Sequence, residues 1–344
     1  MTIQRKIFIG LALFLYAFSG AVFSQTPPKE PISPPAKTPK IKPLGARSFP
    51  EAPETDGVTS ERSIAVSPDV SIKLCVAEGN LKINGWARDE VRIFVKDGSK
   101  FGVTILEKDE RSGKPIWVQI KRSAERAVPN ASGLECISGQ SIEMDVPMKA
   151  SLMVDGRVTR TTVDSVKKVN IKNIEGNLSL RNITGGITAN TYQGDVIVEN
   201  SSGAIYVESA AGNIVAFEVG PGQIGDIFKA KTNSGAISLQ KVENRQIEAN
   251  SITGSVHFNG KFLAGGLYDF KTSNGSIRLA IPDVSSCTIK ASYGFGQFFS
   301  EIPLKVLTDN DTPGGKNVVA TIGDGSACNV SLTTNSGSII VKKQ

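Results

Sequence analysis

Glycines at 176, 185, 194, 203 and 212 recur every nine residues, and each opens a short run of alternating apolar residues. Gly176-Asn177-Leu178-Ser179-Leu180 and Gly194-Asp195-Val196-Ile197-Val198 are typical. The pattern returns, at wider spacing, from Gly235, Gly254, Gly275 and Gly337. A fixed period of this kind dictates architecture, because each unit is too small to bury a face alone and must stack on its neighbours.

A second strand precedes each closing glycine. It reads apolar, any, apolar, any, Thr or Ser, then two residues and the glycine. Copies include Ile187-x-Ala189-x-Thr191, Ile205-x-Val207-x-Ser209, Phe228-x-Ala230-x-Thr232, Ile247-x-Ala249-x-Ser251, Tyr268-x-Phe270-x-Thr272 and Val330-x-Leu332-x-Thr334. Successive closing glycines from Gly194 to Gly275 lie 18, 23, 19 and 21 residues apart. One coil is therefore two strands in about twenty residues, and the nine-residue period is half a coil. The expected fold is all-β: a parallel β-solenoid or β-roll with strands about 4.8 Å apart. Ala189, Ala230, Ala249 and Ala291 at inward positions imply a narrow interior. The recurrent Thr or Ser is expected to form a hydroxyl ladder between coils. The glycines are expected to take positive φ or to let turns approach closely.

Alternation also assigns the outside. Ile197, Val215, Ser238, His257 and Arg278 form the outward column of the glycine strands. Thr188, Tyr206, Lys229, Glu248, Asp269 and Lys290 form that of the preceding strands. Ile197, Tyr206 and Val215 are the expected apolar binding patch; cover by another segment is the alternative.

The chain opens with Arg5 and Lys6, then an apolar run from Ile7 to Phe23 and the small Ser24. This reads as a signal peptide over residues 1–24, with an uncleaved anchor as the alternative. Residues 25–60 read as a proline-rich basic linker, with eight of the 17 prolines between 26 and 50. Residues 1–50 hold seven Lys or Arg and one acid, which leaves 32 of each sign in the rest of the chain. The net charge of +6 thus belongs to the leader and linker. It argues against a nucleic-acid partner and allows envelope contact through the linker. Residues 61–150 are expected to form an N-terminal β cap, and 151–344 the solenoid.

Four cysteines, Cys75, Cys136, Cys287 and Cys328, lack metal-ligand spacing, and an even count in an exported chain suggests disulfides. Cys287 and Cys328 occupy the same register of the repeat, so they are expected to meet on consecutive coils, leaving Cys75 to pair with Cys136.

The opening Gly79-Asn80-Leu81-Lys82-Ile83-Asn84-Gly85-Trp86, followed by Asp89-Glu90-Val91-Arg92-Ile93, resembles the bacterial putative-adhesin β-strand repeat family, catalogued largely as a domain of unknown function. The Val146-Pro147 strand start and the Thr/Ser-x-x-Gly-x-Ile-x-Val copies from residue 191 onward are similar to it too. The resemblance covers roughly residues 62–341. It implies an exported solenoid-like domain and brings no catalytic residues. Between Gly294 and Cys328 the chain departs from a regular array, and a longer excursion replaces a coil.

The remaining chemistry is thin, and no catalytic, cofactor or metal residue is assigned. His257 is the single histidine. A catalytic triad would require a carboxylate to hold it, and Glu248 and Asp269 fall in neighbouring columns without design. Asp309 and Asp311 ahead of Pro313-Gly314-Gly315 offer oxygen ligands, but the segment lacks the length and terminal glutamate of a calcium loop. Asp195, Glu208 and Asp269 are scattered acids rather than a paired cleft. The expectation is an exported, non-enzymatic adhesion or binding module of the cell surface or envelope, located in the periplasm, on the outer surface or outside the cell. It would have a glycan or protein ligand and no cofactor. A carbohydrate-active enzyme and a self-associating structural protein are the alternatives.

Overall fold

The computed structural model describes residues 58–123, 136–282 and 286–344. The expected signal peptide and nearly all of the linker lie outside these residues. Residues 55–344 form one compact unit. Seven strands open it: β1 (Val58–Ala65), β2 (Ser71–Trp86), β3 (Glu90–Gly98), β4 (Phe101–Lys108), β5 (Pro115–Arg122), β6 (Ile137–Pro147) and β7 (Ser151–Asp164). Twelve form the regular middle: β8 (Lys168–Glu175), β9 (Leu178–Arg181), β10 (Ile187–Gln193), β11 (Val196–Ser202), β12 (Ile205–Ala211), β13 (Ile214–Gly220), β14 (Ile227–Ser234), β15 (Ile237–Val242), β16 (Gln246–Thr253), β17 (Val256–Asn259), β18 (Gly266–Asn274) and β19 (Ile277–Ile281). Six complete it: β20 (Cys287–Phe295), β21 (Phe298–Ser300), β22 (Lys305–Thr312), β23 (Gly315–Ile322), β24 (Cys328–Ser336) and β25 (Ile339–Lys343).

The even-numbered strands of the middle stack in parallel into sheet I, and the odd-numbered strands into sheet II. This is the β-solenoid that the period demanded. Each strand buries alternate residues: Ile187, Ala189 and Thr191 in β10 point inward, and Thr188 and Asn190 outward. The inward residues of both sheets belong to one continuous core, running from Val66 to Val341. The four inward alanines are at most 2% exposed. Phe258, Phe262, Tyr268 and Phe270 pack as one aromatic cluster at β17 and β18. The Tyr268 hydroxyl accepts a hydrogen bond from the Leu263 amide at 2.6 Å. Burial raises the Tyr268 pKa, because the phenolate would lose its hydration.

The glycines form stacked turns. Those between a sheet I strand and the following sheet II strand make one column, from Gly176 through Gly194, Gly212, Gly235, Gly254 and Gly275 to Gly337. Gly254 shows why a side chain is excluded. Its φ is +146°, and an added Cβ would fall inside van der Waals contact with the Gly235 carbonyl oxygen. Gly275 meets the same close approach without a left-handed φ, and Gly185 also lies outside that region; its neighbour Gly186 holds the positive φ instead. Gly203 belongs to the return turn from sheet II to sheet I, above Gly186.

The buried hydroxyls bridge coils at these turns. Ser209, Thr232, Ser251, Thr272 and Thr334 each donate to the glycine carbonyl one rung below, at 2.8–2.9 Å. Outside the turn a second ladder runs in solvent: the Asn177, Asp195 and Asn213 side chains each accept the backbone N–H of the next rung.

At both ends the order of rungs departs from the order of the chain. The outermost amino-terminal rung is β5 in sheet I and β6 in sheet II, and β2 lies beneath it, between it and β7. At the other end β24 and β25 slot between the rung of β18 and β19 and the rung of β20 and β21. The last strands of the chain are therefore not the last rung. The excursion after Gly294 completes the outermost rung with β21 and continues into the antiparallel β22–β23 hairpin, which covers β20. At the amino end β4 covers β5, and β3 with β1 covers β6, all antiparallel.

Two boundaries shift accordingly. The segment 61–150 is not wholly a cap, because β2, β5 and β6 continue the parallel stack and only β1, β3 and β4 lie across it. Residues Val58–Ser60, at the end of the expected linker, already belong to β1.

Candidate functional surface

With the interior packed, chemistry is available on the outer faces and at the ends. Each sheet carries eleven parallel rungs, so an outward position repeats as a straight row of side chains. On sheet I the row is Asn170, Thr188, Tyr206, Lys229, Glu248, Asp269, Ser331 and Lys290. On sheet II it is Ser179, Ile197, Val215, Ser238, His257, Arg278, Ile340 and Phe299. The expected apolar patch is divided by this arrangement. Ile197 and Val215 are strand partners on sheet II, whereas Tyr206 stands on sheet I, so the three share no face. The error lies in treating the two outward columns as one surface, when each sheet presents its own. Phe217, two residues beyond Val215, extends the sheet II patch, and the Lys241 ammonium lies 5.3 Å from its ring centroid.

Sheet I is laced by ion pairs between rungs: Lys229 with Glu248 at 2.8 Å, and Lys231 with Glu208 at 3.4 Å. The hydrogen bond that Lys229 donates to Glu248, and then the Glu248 charge, raise the Lys229 pKa. A cleft of about 490 Å³ opens farther along this face, lined by Gln246, Glu248, Leu267, Asp269, Lys290 and Ser331 among others. Glu248 and Asp269 are partners on adjacent strands, so both carboxylates rise from one floor and do not face each other across a cleft. Asp195, the third scattered acid, accepts the Asn213 backbone N–H at 2.7 Å in the turn ladder.

On sheet II a smaller notch of about 210 Å³ surrounds His257. Ser238, His257 and Arg278 are partners on three successive strands, as are Gln240, Asn259, Ala280 and Lys342 on four. The floor is low because Ala280 is short beside its long neighbours. Burial, and then the Arg278 charge, lower the His257 pKa, so its imidazole is neutral at pH 7. The carboxylates expected by chance near His257, Glu248 and Asp269, belong to sheet I.

At the carboxyl end, Asp309 and Asp311 lie in β22, and Lys316 reaches them at 3.2 and 4.0 Å. Their charge is thus answered from within the hairpin. No grouping of three metal-binding side chains exists among the described residues. Cys75 is bonded to Cys136 and Cys287 to Cys328, with Cα separations of 4.5 and 4.6 Å. Each bond ties an outermost rung to the one beneath it.

One feature had no signal in the sequence. Asn182, Asn200, Glu218 and Lys241 take left-handed φ between 43° and 54° at equivalent points late in, or just after, sheet II strands. The asparagines are ordinary there. Glu218 and Lys241 do not announce such a conformation, and only stacking on the rungs below explains it; their side chains pair at 2.9 Å.

These features define a class: a disulfide-closed β-solenoid whose open faces carry rows of repeated side chains. The Toastrack DUF4097 family profile matches residues 63–342, and the chain belongs to that family. No curated protein matches the sequence. A solved structure described as a putative cell adhesion protein from Clostridium sporogenes ATCC 15579 is 12% identical to this chain. It covers 83% of this chain and 100% of its own, with a TM-score of 0.27.

Proposed function

We propose that the chain is an exported, non-enzymatic binding module of the bacterial surface or envelope, which engages a glycan or protein through the outer faces of its solenoid. The observation that carries this reading is the repetition of outward side chains in straight rows over eleven rungs. Such an array suits a long or repetitive ligand better than a small enclosed one. Export is supported by the two disulfides and by the leader and proline-rich segment read from the sequence. The test is a screen of the full chain against immobilised glycans and matrix proteins. Saturable binding to one class supports the reading. Concentration-dependent self-assembly with no ligand bound favours the structural alternative.

The cleft holding Glu248 and Asp269 is what favours a carbohydrate-cleaving reading. It predicts release of reducing sugar that Glu248→Gln abolishes. Binding without release, across the same glycans, removes it.

A further inference from the structure

The notch on sheet II gathers an unusual set of groups. Ser238, Gln240, His257, Asn259, Arg278 and Lys342 line it, and no carboxylate among the described residues does. Across residues 51–344 the two signs balance, and on sheet I Lys229 and Lys231 are paired with acids from neighbouring rungs. Arg278 has no ion pair among the described residues, and Lys342 reaches only Glu301, at 3.8 Å from outside the notch. Two fixed cations, a titratable imidazole, two amides and a hydroxyl therefore converge on one shallow depression. This is the donor set that an oxyanion requires: charge from Arg and Lys, and neutral hydrogen-bond donors around them.

The neighbourhood says what carries the oxyanion. Along the same row, toward the amino end, lie Val215 and Ile197 with Phe217 beside them. A short apolar strip over two rungs thus leads, through Ser238, into the cationic notch. Sugar rings present apolar faces and hydroxyl edges. An acidic polysaccharide lying along the stack would set ring faces on the strip and a charged group in the notch. A nucleic acid would require a basic stripe, and the row holds one cationic cluster only.

We infer that the Arg278–His257–Lys342 notch binds the carboxylate or sulfate groups of an acidic polysaccharide laid along sheet II. This deepens the proposed binding role and rests on it. Arg278 and Lys342 supply the charge, Gln240, Asn259 and Ser238 hydrogen-bond the oxygens and hydroxyls, and His257 adds a third cation when protonated.

His257 is the single histidine, so its imidazole resonances report on this notch alone. The experiment titrates the full chain with polygalacturonate, dextran sulfate and neutral dextran, following the His257 resonances and the binding isotherm. Polygalacturonate or dextran sulfate is expected to shift these resonances and to raise the imidazole pKa, while neutral dextran does neither. Arg278→Gln and Lys342→Gln are each expected to weaken binding about tenfold or more, with the unfolding midpoint unchanged because both residues are on the surface. Acidic polymer bound equally well by both variants, or leaving His257 unmoved, overturns the notch while the wider binding role stands. Absence of binding to every glycan and protein in the screen removes both. Sodium acetate at matched carboxylate concentration moving His257 as far as polygalacturonate assigns the site to small carboxylate ions and overturns the polymer. Binding to phosphatidylglycerol vesicles but to neither acidic polymer overturns it as well.

Discussion

Between β8 and β19 the rungs follow one another in chain order and are joined by backbone ladders, stacked glycines, side-chain hydrogen bonds and surface ion pairs, with no disulfide. At each end the outermost rung and the one beneath it are exchanged in chain order, and a disulfide ties the two. The contrast follows from the number of neighbours. A middle rung is held from both sides and needs no special device, whereas an end rung is held from one side and frays. Placing β24 and β25 beneath β20 and β21 gives these two strands a neighbour on each side and keeps them away from the open end, where fraying starts. The ends also differ from each other. Among the described residues, antiparallel strands cover both sheets at the amino end, but at the carboxyl end only sheet I is covered, by β23 and β22. There the short β21 pairs with β25 alone among the described residues, and Phe299 is 54% exposed.

The largest effect that tests this division comes from the disulfides. The bonded cysteines are 61 and 41 residues apart, and the chain-entropy model gives about 4 kcal/mol for closing loops of that size. Replacing Cys287 and Cys328 by Ser is expected to cost about that much, localised to β20, β24 and β25. Amide hydrogen exchange reads the localisation. Equal loss of protection throughout β8–β19 would show that the ends are not a separate device. Gly254→Val tests the middle, and about 3 kcal/mol is expected from positive φ and backbone collision together. Ser255→Ala next to it is expected to change stability by a few tenths of a kcal/mol. Chemical denaturation of the two variants compares them, and equal losses would break the stacked-turn account.

The middle was legible because its rules are local. Ile187, Ala189 and Thr191 state the face, the width and the turn in one motif, and every later copy repeats them. The ends were not legible for the same reason. The Val330, Leu332 and Thr334 copy fits any slot in sheet I, so the motif carries face and register but not the identity of its neighbour. Matching register alone brought Cys287 and Cys328 together, without revealing that β24 lies on the inner side. Tyr206 was misplaced beside Ile197 and Val215 because alternation distinguishes in from out, not one sheet from the other. The notch escaped for a related reason: Arg278 of β19 and Lys342 of β25 meet only because the terminal rung is shifted inward, which pairs strands 62 residues apart.

A smaller effect probes the buried hydroxyls. Thr232 donates to the Gly212 carbonyl at 2.9 Å and is fully buried. Thr232→Val keeps the shape and removes the bond, at an expected cost of about 1 kcal/mol. The same change at Thr334, next to the exchanged rung, should cost a similar amount if the ladder is one device from middle to end. A much larger loss at Thr334 would mean that the end depends on its hydroxyl as the middle does not.

The smallest expected effect is that of pH through His257. Burial, then the Arg278 charge, hold its folded pKa below the ordinary 6.5. The groups around it are the Ser238 and Gln240 side chains of β15, Arg278 of β19 and Lys342 of β25, with Glu301 beyond Lys342. None offers the imidazolium a carboxylate within the notch. Between the folded pKa and 6.5 the unfolded chain binds more protons than the folded one, so acid favours unfolding. The full stability is present above pH 6.5 and declines as pH falls through that value toward the folded pKa. Because the ring is only half-buried and solvent screens its charge, the decline is slight. Melting temperatures at pH 7.5 and pH 5 are expected to differ less for His257→Gln than for the native chain. Bound acidic polysaccharide should reverse the sign, since an anion in the notch favours the imidazolium and makes the folded state the stronger proton acceptor. An unchanged pH dependence in saturating polygalacturonate would place that ligand elsewhere on the solenoid.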